Sequence, residues 1–111
     1  MTDTELCALT DLVDGAGQRF DVDGQRLAVI RIGDDVYVIG DRCTHAEASL
    51  SEGEVDVDTC HIECWRHGSS FSLRTGQPDA LPATRPVPVY SARVVDGRVL
   101  VSLDEHEGAS R

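Results

Sequence analysis

Cys43 and His45 are separated by one residue, Cys64 and His67 by two, and eighteen residues lie between the two motifs. Each motif supplies one thiolate and one imidazole, and together they make a complete set of two of each. Two sulfurs and two nitrogens shared evenly between two short segments suit two kinds of centre. One is a tetrahedral structural zinc site. The other is a [2Fe–2S] cluster with both cysteines on one iron and both histidines on the other. Zinc fingers more often pair C-x-x-C with separate histidines than mix one of each per knuckle, so the spacing favours the cluster. Gly68, directly after His67, permits close approach or unusual backbone angles. Amides of the small polar residues around the ligands can then hydrogen-bond the anionic sulfurs and tune their potential.

The remaining reactive side chains do not form a second set. Cys60 lies four residues before Cys64, and the two would share a face if Thr59 to Glu63 were a strand. The ligand set is complete without Cys60, which is expected to be a buried, inert thiol. Cys7 has no assigned role. His61 is expected on the solvent side of a strand and His106 in the tail. Neither offers the two-histidine, one-carboxylate geometry of a mononuclear oxygenase iron, so the chain is not expected to be the oxygenase itself.

Lys and Arg number 10 against 20 Asp and Glu, a formal charge of −10. That balance disfavours nucleic-acid binding, which needs a basic face. It suits solubility and a partner with a basic docking face. The start, Met1-Thr2-Asp3-Thr4-Glu5, carries no basic segment and no apolar stretch of signal-peptide length. No run approaches transmembrane length. A reducing cytoplasm is therefore expected, where metal ligation by the four cysteines outranks disulfides.

The elements that must hold the motifs are short strands. Aromatics are only 5% of the chain, so the core rests on Val, Ile and Leu. Leu6 to Leu12 reads as an opening strand and Arg19 to Val22 as another. Leu27 to Ile32, a Gly33-Asp34-Asp35 turn, and Val36 to Ile39 read as a hairpin. Val87 to Val95, Asp96-Gly97 and Arg98 to Leu103 read as a second, because Asp-Gly between apolar runs is a strong hairpin signal. Residues 41 to about 86 differ: they are rich in Gly, Ser, Thr, Asp and Pro, hold both motifs, and admit only short strands near 54–57, 59–63 and 70–73. The spacing predicts one all-β domain over residues 1–111, with a cluster-binding insertion at about 41–86 on an antiparallel scaffold. Residues 105–111 are expected to be a frayed tail.

The stretch from Cys43 to Gly53, CTHAEASLSEG, resembles the first cluster-binding loop of bacterial Rieske ferredoxins. The stretch from Ile62 to Pro78, IECWRHGSSFSLRTGQP, resembles the second. The flanking hairpins match too, so the resemblance covers nearly the whole chain. It implies a Rieske fold: antiparallel sheets in a sandwich or incomplete barrel, with the cluster-binding subdomain inserted at one end. It also implies that Cys43 and Cys64 bind the inner iron of a [2Fe–2S] cluster, and that His45 and His67 bind the outer iron.

Departures from the family are informative. Rieske proteins of cytochrome bc complexes carry an extra cysteine in each loop, joined as a disulfide. Here Arg66 stands at one such position and the first loop has no second cysteine. Those proteins also place a tyrosine hydroxyl near a ligand sulfur, where this chain has Phe71; Ser69 matches their serine and can still donate. Fewer donors leave the reduced cluster less stabilised, so the expected potential lies toward the low end of the Rieske range, roughly −150 to +300 mV. Trp65 stands where related ferredoxins usually have proline. Shielding of the cluster is the commoner fate of a large ring and is favoured slightly over docking.

The resemblance implies a soluble one-electron carrier between a flavin-dependent reductase and a terminal oxygenase, not an enzyme in itself. A monomer with no membrane or nucleic-acid partner is expected. Other readings are the small subunit of an assimilatory nitrite reductase, an accessory of iron–sulfur assembly, and a zinc-stapled binding module.

Overall fold

The computed structural model describes residues 3–22, 24–42, 49–65, 68–78, 85–102 and 106–107. In chain order the strands are β1 (Asp3–Ala8), β2 (Ala16–Val22), β3 (Gln25–Ile32), β4 (Asp35–Gly40), β5 (Glu54–Asp56), β6 (His61–Glu63), β7 (Ser70–Ser72), β8 (Pro88–Tyr90), β9 (Ala92–Val95), β10 (Arg98–Ser102) and β11 (His106–Glu107). They form a five-stranded central sheet, ordered β11-β8-β4-β3-β2, between two three-stranded sheets, β1-β10-β9 and β5-β6-β7. All strand pairs are antiparallel.

The apolar run in β3 explains the layering. Leu27 and Val29 point into a core with Leu12, Val36, Val38, Tyr90, Val99 and Val101. Ala28 and Ile30, on the opposite face, enter a second core with Ile39, Leu50, Ile62, Cys64 and Phe71. A strand covered on both faces needs a continuous apolar run instead of alternation. Two layers thus share β3 and β4, and one core lies directly beneath the motif-bearing β5-β6-β7 sheet.

The hairpins follow the sequence signals. The β9–β10 turn is Asp96-Gly97, with φ of 52° and 74°. Both residues lie in the left-handed region, as the turn that suits the twist of paired strands requires.

Four local expectations need correction. The opening strand covers Asp3–Ala8 and ends in a single 3-10 turn, Leu9–Asp11. There the Ala8 N–H donates to Asp11 Oδ2 at 3.1 Å, a side-chain interaction that competes with strand pairing. Val87 to Val95 is not one strand: the chain breaks at Ser91, leaving β8 in the central sheet and β9 in an outer one. A strand that turns between packed sheets keeps apolar residues on both sides of the corner, so the break leaves no pattern in composition. Within the expected frayed tail, His106 and Glu107 pair with Val89 and Pro88 on the open edge of β8, where unpaired backbone groups accept another strand. Finally, Thr59 and Cys60 belong to a turn before β6, not to the strand.

Candidate metal centre

The second motif sits at the tip of the β6–β7 hairpin. The register runs His61 with Ser72, Ile62 with Phe71 and Glu63 with Ser70. It continues one step further: the Cys64 N–H donates to the Ser69 carbonyl at 2.6 Å, and the Gly68 N–H donates to the Cys64 carbonyl at 2.9 Å. Gly68 has φ of 78°, which closes this short loop at little cost only because it lacks a Cβ. His67 lies outside the described residues.

The first motif is bracketed in a similar way. Cys43 and His45 lie outside the described residues, but the chain on either side of them is pinned. Arg42 and Ser49 form an antiparallel bridge, and the Leu50 N–H donates to the Asp41 carbonyl. The Asp41 carboxylate is fully buried and accepts from the Ser51 N–H at 2.8 Å and from the Ser49 hydroxyl. Arg26 stands 3.5 Å from it. Sequence reasoning passed over Asp41; its only signal is that it directly follows the apolar run of β4 and precedes the first cysteine by two residues.

The two tips are tied to each other. Leu50, just after the first segment, is buried in the same core as Cys64 and Phe71. Gly53 packs so tightly on the backbone before Cys64 that a Cβ there would fall on the Glu63 carbonyl oxygen. β5 then pairs with β6, placing Glu54 opposite Glu63.

Cys64 is fully buried, forms no disulfide, and its thiol has no hydrogen-bond partner among the described residues. A sulfur held at a closed loop tip, away from water and unengaged, fits a soft metal ligand. The profile of the Rieske [2Fe-2S] domain matches residues 2–91. The chain belongs to the Rieske family. It is 42% identical over 99 residues to ferredoxin CarAc of Metapseudomonas resinovorans, covering 88% of this chain and 91% of that protein. The solved ferredoxin of carbazole 1,9a-dioxygenase from Nocardioides aromaticivorans superposes with a TM-score of 0.88 at 40% identity, covering 92% of this chain and 98% of that one. A ferredoxin solved in complex with reduced oxygenase, also of carbazole 1,9a-dioxygenase, gives 0.86 at 39%, covering 94% and 95%. Nitrite reductase small subunits are more distant, at 27–29% identity. This Rieske protein is a [2Fe–2S] electron carrier, not a catalyst in its own right.

The side chains around the Rieske centre divide by environment. Phe71 is fully buried beneath Cys64, with no hydroxyl to offer a sulfur. Ser69 is fully buried next to Gly68. Trp65 is 55% exposed, so about half of its surface faces solvent. It follows a buried cysteine at a hairpin tip, where the next side chain turns outward. Beside it, a groove of about 560 Å³ is lined by Glu54, Asp56, His61, Glu63 and Gly68. Glu54 and Glu63 face each other without a cation partner among the described residues, an arrangement that like charges disfavour.

Cys60 is buried in the core below the centre, with φ of 61°. It lies near the Tyr37 hydroxyl, which also interacts with Arg74. The Cys60 contact and then burial push the Tyr37 hydroxyl up, against the Arg74 bond, which lowers it. Cys60 thus interacts with Tyr37 within the core, and the Cys64 thiol has no hydrogen-bond partner among the described residues. Cys60→Ser protein is therefore expected to retain its full iron content, as a colorimetric iron assay against protein concentration will read.

Proposed function

We propose that this Rieske ferredoxin passes single electrons from a flavin-dependent reductase to the terminal oxygenase of a ring-hydroxylating dioxygenase system. The similarity to CarAc over nearly the full length of both chains carries this reading. Cys43 and Cys64 would hold the inner iron and His45 and His67 the outer one, within a subdomain at about 41–86 of a single domain. The cluster supplies one-electron redox chemistry when bound. The chain's own residues exclude water with Phe71, Leu50 and Ile62 on the core side, and leave Trp65 and the Glu54–Glu63 pair facing outward.

That outward face suits a basic partner surface, since the like-charge strain between Glu54 and Glu63 would be relieved by a cation placed between them. Among the described residues no helix is long and apolar enough to cross a membrane. A cytoplasmic, monomeric carrier is consistent with the acidic composition.

Trp65→Ala separates docking from cluster binding. An exposed aromatic at an interface is commonly worth about 1–2 kcal/mol or more on truncation. The second-order rate of electron transfer to a dioxygenase oxygenase should therefore fall by about tenfold in stopped-flow measurements. The visible spectrum should stay as in the wild type. An unchanged rate would remove Trp65 from the docking face.

A further inference from the structure

We propose that Asp41 is a positioning residue for the Cys43–His45 half of the centre, fixing the ends of that loop whether or not the cluster is present. The inference rests on the reading that Cys43 and His45 are ligands. It goes beyond that reading by assigning the geometry of their loop to one buried carboxylate. Six residues, 43–48, separate Arg42 from Ser49. Asp41 is engaged through every polar group, and its carbonyl and both carboxylate oxygens reach across this gap. Its N–H donates to the Arg26 carbonyl at 3.1 Å, and its carbonyl accepts from Leu50. Its two carboxylate oxygens divide the far side of the loop: Oδ1 takes the Ser51 N–H at 2.8 Å, and Oδ2 takes the Ser49 hydroxyl. Ser49 Oγ is in turn 2.9 Å from Ser51 Oγ. Arg26 supplies the countercharge to Oδ2.

A carboxylate removed from water is costly unless all its acceptor sites are engaged. The loop can therefore spread at Ser49 and Ser51 only by stranding a buried charge. That cost makes the closed geometry strongly preferred, and hydrogen bonds to charged groups are among the stronger ones. A ligand pair between ends that are already fixed gives up less conformational entropy when it binds metal, and so releases it less readily.

The test uses the full-length holoprotein as wild type, Asp41→Asn, Asp41→Ala and Val99→Ala. Val99 lies in the core on the other side of the central sheet, so its variant reports the effect of lowered stability alone. Each is mixed with a ferrous chelator under reducing conditions, and bleaching is followed in the visible range; the reduced EPR line shape is recorded beforehand. Asp41→Ala should lose its cluster about tenfold faster than wild type or more, with a broadened EPR signal. Asp41→Asn, which keeps an acceptor for the Ser51 N–H but loses the charge facing Arg26, should fall between them. Val99→Ala should bleach near the wild-type rate with an unaltered line shape even where its Tm is equally reduced. If Asp41→Ala does not fold, Asp41→Asn decides the matter: bleaching no faster than Val99→Ala, with wild-type EPR, overturns the proposal. A wild-type protein lacking the mixed Cys/His signature would instead overturn the ligand reading itself, which separates the two failures.

Discussion

Gly53→Ala protein will be recovered with little or no bound iron. The backbone of Gly53 lies against the Glu63 carbonyl, so the added methyl group can be accommodated only by separating the two segments. Flexible side chains give way cheaply, but this obstacle is backbone, in the residue before Cys64. Gly53 also donates its N–H to the Leu50 carbonyl at 2.9 Å, so it cannot shift without disturbing the turn that follows the first motif. Its φ of −80° is available to any residue, which makes the effect one of close approach and not of backbone conformation. Overpacking costs about 1–3 kcal/mol in an ordinary core. Here the same displacement would move one proposed ligand pair relative to the other, and cluster sites tolerate little misplacement. Iron content of the purified variant, set beside its circular dichroism spectrum, checks the expectation. Near-stoichiometric iron would show that the two motif segments are not coupled through Gly53.

Phe71→Ala will cost the most stability of any single truncation in the motif-bearing half. Phe71 heads the fully buried side chains by volume and packs with Ile30, Ile39, Leu50, Ile62 and Leu73. Removing such a ring costs about 3–5 kcal/mol, the transfer term plus the cavity left behind. For a domain of this size each kcal/mol corresponds to about 4–8 °C, so Tm should fall by more than about 10 °C. Thermal unfolding followed by circular dichroism reads this directly. A drop of only a few degrees would mean that the core beneath the centre can collapse around the missing ring.

The sequence revealed those parts of the fold whose signals are local. Asp96-Gly97 between apolar runs specified its turn, and the run Leu27 to Ile32 marked a strand of a hairpin. The short strands of the insertion were legible from breaks in composition. What escaped was set by contacts between distant residues. Asp41 reads in isolation as an ordinary solvated acid, and only the return of Ser49 and Ser51 makes it a buried clasp. Gly53 reads as a turn residue until Glu63 is laid against it. The break at Ser91 depends on which sheet each half joins, and the pairing of His106–Glu107 depends on an edge the tail cannot announce.

The visible and EPR spectra of the purified protein, oxidised and dithionite-reduced, with iron and sulfide contents, test the central claim most directly. The expected result is a red-brown protein with two irons and two sulfides per chain, as a [2Fe–2S] cluster requires, and a reduced signal of the mixed Cys/His type. A colourless protein holding one zinc, or a reduced signal of the all-cysteine type, would contradict it.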